Sequence, residues 1–269
     1  MLSLNRERVI SAKLSDAELA AALAEGAGDI LKTLQGQPTA PPAGPLGAEG
    51  DRRSQEFLKK MLLRSRPGDQ VLSEEAPDQP SRLRADRVWI IDPLDGTREF
   101  SEGRRDWAVH VALWEKGNLV AGAVALPRLD MVLTGEDSGE SAAPHTGLRM
   151  AVSRSRAPEI AGPVATAINA RVIPMGSAGF KTCAVASGEV DIYLHDGGQY
   201  EWDSAAPVVV ARAAGLHVSR LDGSAPQYNQ ENPYLPDLLV CRPDLSGMVL
   251  AAVARARLER LQKEGHTGE

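Results

Sequence analysis

Residues 89–97 are the most informative stretch of this chain and read Trp-Ile-Ile-Asp-Pro-Leu-Asp-Gly-Thr. The apolar start predicts a buried strand that ends on two carboxylates, Asp92 and Asp95, where a turn begins. Pro93 stiffens this turn because its φ is fixed, and Gly96 allows backbone N–H groups at a helix start to face an anion. Asp and Gly are also common in plain surface turns. The alternative is a site for divalent cations and a phosphate.

Other acids stand at the ends of other predicted elements. Glu74 follows a short strand over 71–73, and Asp203 opens a helix of small residues. Asp51 opens another predicted helix, behind a proline-rich segment that could bring it over a site. An acid at a helix N-terminus is often only a cap, so Asp51 and Asp203 taken singly also allow that interpretation. Four or five acids from separate elements would suit several magnesium ions on one phosphate.

The first half of the chain predicts helices followed by an antiparallel meander. A capping box at Ser15 and Glu18 opens a helix over 15–34. The segment 35–50 contains four prolines and four glycines and predicts a loop, after which a second helix covers 52–64. The strands that follow are predicted over 87–91, 107–115, 119–126 and 131–134.

The second half alternates short strands with helices. The polar segment 135–147 is a candidate boundary, and a strand is predicted over 190–194. The change from an antiparallel meander to alternating strands and helices predicts an α+β protein. Its N-terminal part, over 1–147, would carry the metal site. The C-terminal part over 148–269 would carry the substrate-specificity elements, and the two parts would form one catalytic unit.

Composition excludes several classes of protein. The chain has 269 residues, 43% of them hydrophobic and 25% charged, as in ordinary globular proteins. Its net charge of −6 argues against binding a nucleic acid polymer. Two cysteines, Cys183 and Cys241, give no disulfide framework and are expected to be reduced. Without a membrane span, or a signal-peptide core over 1–13, a cytoplasmic protein with no membrane partner is expected.

Three motifs together resemble the signatures of the inositol monophosphatase superfamily of magnesium-dependent, lithium-sensitive phosphatases. Residues 89–97 resemble its first signature, and 202–207 (Trp-Asp-Ser-Ala-Ala-Pro) resemble its second. Residues 73–75 (Ser-Glu-Glu) resemble its Gly-Glu-Glu element. The order and spacing match over nearly the whole chain. The resemblance implies the layered α-β-α-β-α fold of inositol monophosphatases and fructose bisphosphatases.

Within the superfamily the chain is most similar to CysQ-type 3′-phosphoadenosine 5′-phosphate (PAP) phosphatases. Residues 95–100 (Asp-Gly-Thr-Arg-Glu-Phe) resemble their extended signature, and 152–155 resemble their Ser-Arg-Ser-His element. The segment 221–233 resembles their closing segment, and 47–56 resembles the actinobacterial branch. The resemblance implies hydrolysis of PAP to AMP and phosphate within sulfur assimilation, with the sulfated relative PAPS as a further candidate substrate.

The resemblance implies a role for each matching residue. Two Mg²⁺ ions would share Asp92, and a third, weaker one would bind at Glu74. Thr97 and Asp51 would orient and deprotonate the attacking water, and the N–H groups of Gly96 and Thr97 would hold the scissile phosphate. The implied metal ligands are Glu74, Asp92, Asp95, Asp203 and the backbone carbonyl of Leu94.

Substrate recognition is implied for residues of the second half. Gly176 and Ser177 would line the ribose side, and Lys181 would be the nearest cation for the 5′-phosphate. A solvated helix lysine is the alternative for Lys181. The chain departs from the CysQ pattern at Arg156, where that pattern has His, and at His195, where many members have Arg.

Two rival functions remain at this point. Asp196 falls where inositol phosphatases have a hydroxyl-binding acid, so inositol monophosphatase or fructose 1,6-bisphosphatase activity is an alternative main or side activity. A non-catalytic nucleotide-binding protein on the same scaffold is the second rival. The expected partner is a small phosphorylated molecule, and since relatives are often homodimers, the resemblance also allows a homodimer.

Some other residues are predicted to be structural. Alternation over 107–113 predicts a sheet core, with His110 on the opposite face packing between layers. Arg82, Arg84 and Arg87 predict a solvated run of positive charges, with a phosphate-binding role as the alternative.

Overall fold

Two five-stranded sheets form the framework of the computed structural model, which describes residues 13–37, 43–137 and 146–266. The first sheet has the order β1-β2-β3-β4-β5. Its first two strands are parallel, and all later neighbours are antiparallel. The strands are β1 (Gln70–Ser73), β2 (Arg87–Asp95), β3 (Ala108–Glu115), β4 (Asn118–Leu126) and β5 (Met131–Thr134).

The second sheet is built from the second half of the chain and has the order β7-β6-β8-β10-β9. Strand β6 is parallel to both its neighbours, whereas β10 is antiparallel to β8 and β9. The strands are β6 (Leu148–Ser153), β7 (Ala170–Met175), β8 (Ile192–Tyr200), β9 (His217–Ser219) and β10 (Tyr234–Cys241).

Helices cover the sheets and separate them. They are α1 (Asp16–Gln35), α2 (Ala43–Ser65), α3 (Thr97–Ser101), α4 (Ala161–Ala167), α5 (Ala178–Ala186), α6 (Glu201–Ala213) and α7 (Ser246–His266). None of these helices, within the residues described, combines the length and the apolar character needed to cross a membrane.

Three apolar clusters define the order of the layers. One joins α1 and α2 to one face of the first sheet, for example Leu23 with Trp89. Another joins the opposite face of that sheet to α5, α6 and the second sheet, and it includes Val208 and Tyr193. The third joins the second sheet to α4 and α7, with Val249 in its centre. The layered α-β-α-β-α architecture is therefore confirmed.

The loop predicted over 35–50 is wrong in its second half, because α2 already begins at Ala43. Pro45 fits there because N–H groups in the first turn of a helix have no helical partner to lose. The glycines serve close packing: a Cβ at Gly47 would lie 2.7 Å from Thr97 Cγ2, and one at Gly50 would lie 3.0 Å from Leu94 Cδ2. Residues 38–42 of the predicted loop lie outside the described residues.

Other predicted elements agree in type and differ at their ends. The capping box of α1 is present, with Ser15 and Glu18 as its partners. The sheet core over 107–113 is confirmed, with the apolar residues of this alternation fully buried. Strand β8 runs six residues past the predicted end at Leu194, to Tyr200. Most of the predicted loop over 135–147 lies outside the described residues, namely 138–145.

The prediction of a solvated arginine run is wrong for Arg82. This side chain is fully buried and donates to both carboxylate oxygens of Asp78, at 2.6 and 2.9 Å. It also donates to Oδ1 of Asn229 at 2.7 Å, so it ties the N-terminal part to a segment 147 residues later. Arg87 is half-buried against Asp69, and Arg84 alone is exposed.

Candidate active site

A cavity of about 430 Å³ lies where the carboxyl end of β2 meets the second sheet. The termini of α3, α5 and α6 and the end of β8 also reach it. Its lining is mainly polar. The residues that line it include Glu74, Asp92, Leu94, Asp95, Gly96, Thr97, Arg98, Arg156, Gly176, Ser177, Lys181, Tyr193, His195, Gln199 and Asp203.

A β-bulge brings the two acids of β2 to one side. Asp92 pairs with His110 and Asp95 pairs with Ala108, so two residues of β2 stand opposite one residue of β3. In a regular strand, residues three apart would point to opposite faces, and the extra residue restores a common side. Oxygens of Asp92, Asp95 and Asp203 all lie within 4.8 Å of one another. These three acids form the acid cluster.

Asp203 joins the acid cluster from the first turn of α6. Its Oδ2 accepts the backbone N–H of Tyr200 at 2.7 Å, which orients the carboxylate as a cap. The cap interpretation of Asp203 and the ligand interpretation are thus both compatible with this geometry, because one carboxylate oxygen is enough for the cap.

Asp95 is the most strongly held member of the acid cluster. Its Oδ2 lies 3.1 Å from His110 Nε2 and accepts the N–H of Gly179 at 2.8 Å. The hydroxyl of Ser177 donates to the same oxygen. Burial alone would raise the pKa of Asp95, but His110, Lys181 and the Ser177 hydroxyl hold it below its usual range. Asp95 is therefore the carboxylate kept ionised by the protein itself.

The protein compensates the negative charge of the other acids less completely than that of Asp95. Burial, together with neighbouring carboxylates, raises the pKa of Glu74 to about 8 and that of Asp203 to about 7. The same causes raise the pKa of Asp92 well above its usual range. Buried carboxylates with no cation between them are costly. This donor set of carboxylates, with the Leu94 carbonyl beside it, fits a cation that prefers oxygen ligands.

Thr97 and Asp51 contact each other beside the acid cluster. The Thr97 hydroxyl donates towards Oδ1 of Asp51 at 3.4 Å and towards the Leu94 carbonyl at 3.1 Å. Burial and the nearby charge of Glu75 raise the pKa of Asp51 to about 7. A carboxyl group with this pKa can accept a proton near neutral pH.

The segment between β7 and α5 forms the opposite wall of the cavity. Gly176 donates its N–H to Asp106 at 2.7 Å, and a Cβ at this position would overlap Glu99. Lys181 is buried, and its Nζ donates to the carbonyls of Gly176 and Ser177 at 3.2 and 2.6 Å. The interpretation of Lys181 as a solvated helix lysine is therefore wrong.

Two predicted site residues do not line this cavity: Asp51, which reaches it only through Thr97, and Asp196. Asp196 lines a neighbouring cavity of about 560 Å³ instead, and Arg257 donates to its Oδ1 at 2.8 Å. Arg156 lies between the two cavities and lines both.

Three contributors to the site were not predicted from the sequence. His110, expected only to pack between layers, contacts Asp95 and lies 3.1 Å through Nδ1 from the carbonyl of Trp202. Tyr193 and Gln199 line the cavity from β8. The register of β2 with β3 could have pointed to His110, since it pairs directly with Asp92.

Comparison with known proteins gives a family match over most of the chain. The model of the "Inositol monophosphatase family" matches residues 13–258. A Mycobacterium tuberculosis protein named 3′-phosphoadenosine 5′-phosphate phosphatase is 51% identical over 221 residues, 78% of this chain and 83% of its own. A Mycobacterium leprae protein of the same name is 48% identical over 264 residues, 92% of this chain and 96% of its own.

A solved structure supports the same assignment. The crystal structure of CysQ from Bacteroides thetaiotaomicron, described as a bacterial member of the inositol monophosphatase family, aligns with a TM-score of 0.71. Identity is 27%, with 83% of this chain and 96% of that chain covered. The layered fold, the acid cluster and these matches agree. The chain belongs to the inositol monophosphatase family.

Proposed function

We propose that this protein is a magnesium-dependent phosphatase that hydrolyses PAP at its 3′-phosphate, giving AMP and inorganic phosphate. The observation that carries the proposal is the acid cluster in one cavity with Thr97, whose hydroxyl contacts Asp51. The relatives named PAP phosphatase support the choice of substrate.

The residues that would hold magnesium are the acid cluster, Glu74 and the carbonyl of Leu94. Bound magnesium supplies neutralisation of charge on the phosphoryl oxygens and makes water a stronger acid. The number of ions, two or three, is part of the proposal. The oxygen donors of the site and its excess of buried negative charge support the binding of magnesium there.

The chain's own groups handle the proton and the phosphate. Thr97 donates its hydroxyl proton to Asp51, which leaves the Thr97 oxygen free to accept a proton from the attacking water. Asp51, whose pKa is raised to about 7, accepts this proton near neutral pH and changes from negative to neutral. The N–H groups of Gly96 and Thr97 would orient the phosphate, because Gly96 adopts φ +91° at the start of α3.

Positive side chains near the acid cluster support a substrate with a second phosphate. Arg98, Arg156 and Lys181 line the same cavity as the acids. Asp196, the residue expected to favour inositol 1-phosphate, is paired with Arg257 instead. Charge complementarity therefore favours a bisphosphate over an uncharged polyol leaving group. Inositol 1-phosphate and fructose 1,6-bisphosphate are the alternative substrates.

Several further properties belong to the same proposal. They are lithium inhibition, a role in sulfur assimilation, a homodimer, and two parts divided at residues 147 and 148 that act as one catalytic unit. A cytoplasmic location is also proposed. Cys183 and Cys241 are both free and buried, and free thiols are common in reducing compartments.

Replacement of one acid tests the proposed reaction. We expect Asp92→Asn to lower magnesium-dependent phosphate release from PAP by at least about 1,000-fold, because buried charge that holds the cations is lost. The matched control is Asp222→Asn, at an exposed position outside the cavity, with activity close to wild type. Unchanged phosphate release by Asp92→Asn would refute the site assignment.

A further inference from the structure

His195 and Gln199 lie four residues apart on β8, on either side of a bulge in its pairing with β10. Both line the candidate active-site cavity, and their exposed fractions are only 7% and 5%. Neither residue is needed for the acid cluster or for the Thr97–Asp51 pair. Two nearly buried polar side chains in a cavity wall therefore have no role in the proposed chemistry.

The Gln199 amide contacts the side chain of Tyr193 on the same strand. Its Nε2 donates to the hydroxyl of Tyr193 at 2.8 Å, and Tyr193 is itself buried beneath the ammonium group of Lys181. The other end of the amide, Oε1, is buried and has no hydrogen-bond partner among residues 13–37, 43–137 and 146–266. Gln199 thus presents an acceptor oxygen that the described part of the protein does not satisfy.

The His195 imidazole presents a second acceptor. Burial and the charge of Lys181 lower the pKa of His195 to about 4, so the ring is neutral at physiological pH. It makes a hydrogen bond with the backbone of Gly197, whereas its buried Nε2 has no partner in the described residues. In a neutral imidazole that donates through one nitrogen, the other nitrogen accepts.

These two acceptors select one kind of ligand group. Buried acceptors without partners are costly, and the cost is removed only by a donor. A phosphate offers acceptor oxygens and would be repelled here, whereas a hydroxyl or an amino group offers the missing N–H or O–H. Arg98 and Arg156 also line the cavity and suit the phosphates, and Arg156 lies near the pair, since a Cβ at Gly198 would be 3.8 Å from its Nη1.

We propose that His195 and Gln199 form an acceptor pair that binds a neutral hydrogen-bond donor, a hydroxyl or amino group, on the nucleoside part of the substrate. The inference rests on the proposed PAP phosphatase activity and adds the residues that recognise the leaving nucleotide. In PAP the candidate donors are the ribose 2′-hydroxyl and the 6-amino group of the base. When a substrate lacks that donor, the two acceptor atoms stay unpaired and the substrate is disfavoured. In this way the acceptor pair discriminates between substrates.

The test combines protein variants with substrate analogues. The kcat/KM values of wild type, Gln199→Leu and His195→Phe are measured on PAP, on its 2′-deoxy analogue and on the analogue with hypoxanthine in place of adenine. For wild type we expect one analogue to lose roughly 10- to 100-fold, because a buried acceptor is left unpaired. The analogue that loses activity identifies which donor the pair binds.

The variants should lose this discrimination. Gln199→Leu or His195→Phe should be slower on PAP but should treat PAP and the affected analogue alike, within about twofold. Tyr193→Phe removes only the hydroxyl that accepts from Gln199, and it should weaken the discrimination partly. It serves as a second variant if either larger change unfolds the protein, which a thermal melt reports.

Gln35→Leu is the matched control. Gln35 also carries a buried Oε1 that is unpartnered within the described residues, and its Nε2 donates to the Phe100 carbonyl, but it does not line the cavity. The ratios of kcat/KM between the three substrates should be the same for Gln35→Leu as for wild type. If Gln199→Leu and His195→Phe slow all three substrates by the same factor, the acceptor pair is structural only and the inference is wrong. If wild type itself does not hydrolyse PAP, the proposed function fails first and the inference with it.

Discussion

His110 Nε2 lies 3.1 Å from a carboxylate oxygen of Asp95, and His110 Nδ1 lies 3.1 Å from the carbonyl of Trp202. The imidazole thus bridges β2 and the first turn of α6, the two elements that supply the acid cluster. A partner of this kind fixes the orientation of a metal-binding carboxylate and tunes its affinity.

Removal of this bridge should weaken metal binding. We expect His110→Leu to raise the magnesium concentration for half-maximal activity by about 10- to 100-fold, because Asp95 loses a partner that keeps it ionised. His217→Leu is the matched control, since His217 contacts Ser219 on β9 and does not line the cavity. A magnesium requirement of His110→Leu equal to that of wild type would show that His110 only fills space.

Gly179 should be intolerant of even one methyl group. A Cβ at this position would overlap Nε2 of His110, so Gly179→Ala must displace the imidazole from Asp95. We expect a lower magnesium affinity and a loss of about 1–3 kcal/mol in the free energy of unfolding. Gly162→Ala in α4 is the control, because nothing lies within 4 Å of a Cβ there and alanine favours helix. Equal thermal stability and equal magnesium affinity of the two variants would contradict this prediction.

The metal-free protein should lose stability as pH rises. Glu74, Asp51 and Asp203 have pKa values of about 8, 7 and 7 in the folded protein, above those of unfolded carboxyls. Their contribution is therefore complete below about pH 4 and is lost as pH rises through 7 to 8. We expect Tm without metal to fall by several degrees between about pH 6 and pH 9.

Magnesium and an acid replacement provide the controls for this pH dependence. Added magnesium should raise Tm most at about pH 9, where the acids are ionised, because ligands that bind the folded state stabilise it. Asp92→Asn should flatten the metal-free profile, since one buried charge is removed. A metal-free Tm that rises over this pH range would contradict the raised pKa values.

Arg82 should contribute far more to stability than its neighbour Arg84. We expect Arg82→Met to lower the free energy of unfolding by about 2–4 kcal/mol, because Asp78 and Asn229 lose a buried partner. Arg84→Met, at an exposed position of the same short segment, should change it by less than about 0.5 kcal/mol. Chemical denaturation of both variants makes the comparison, and similar losses would favour a solvated run of arginines.

The acid cluster could be predicted because its signals are local. Asp92 and Asp95 stand three residues apart in one motif, and the strand before them is apolar. Arg82 could not be predicted, since its burial depends on Asn229, which is 147 residues away. The burial of Lys181 could not be predicted for the same reason: a lysine at the start of a helix is usually exposed, and here Tyr193 and the carbonyls of residues 176 and 177 pack around it.

Strand β8 shows why part of the cavity wall was missed. Its sequence beyond Leu194 is polar and contains two glycines, which predicts the end of a strand. Pairing with β10 continues to Tyr200 across a register shift, so Gln199 still belongs to the strand and lines the cavity together with His195. Pairing between distant strands overrides the local pattern here.

The central claim is that the cavity hydrolyses a nucleoside 3′,5′-bisphosphate with magnesium. Its most direct test is phosphate release by the wild-type protein from PAP, inositol 1-phosphate and fructose 1,6-bisphosphate, each with magnesium and with or without lithium. We predict the highest kcat/KM on PAP, no release without divalent metal, and inhibition by lithium. Equal or higher kcat/KM on inositol 1-phosphate would contradict the account.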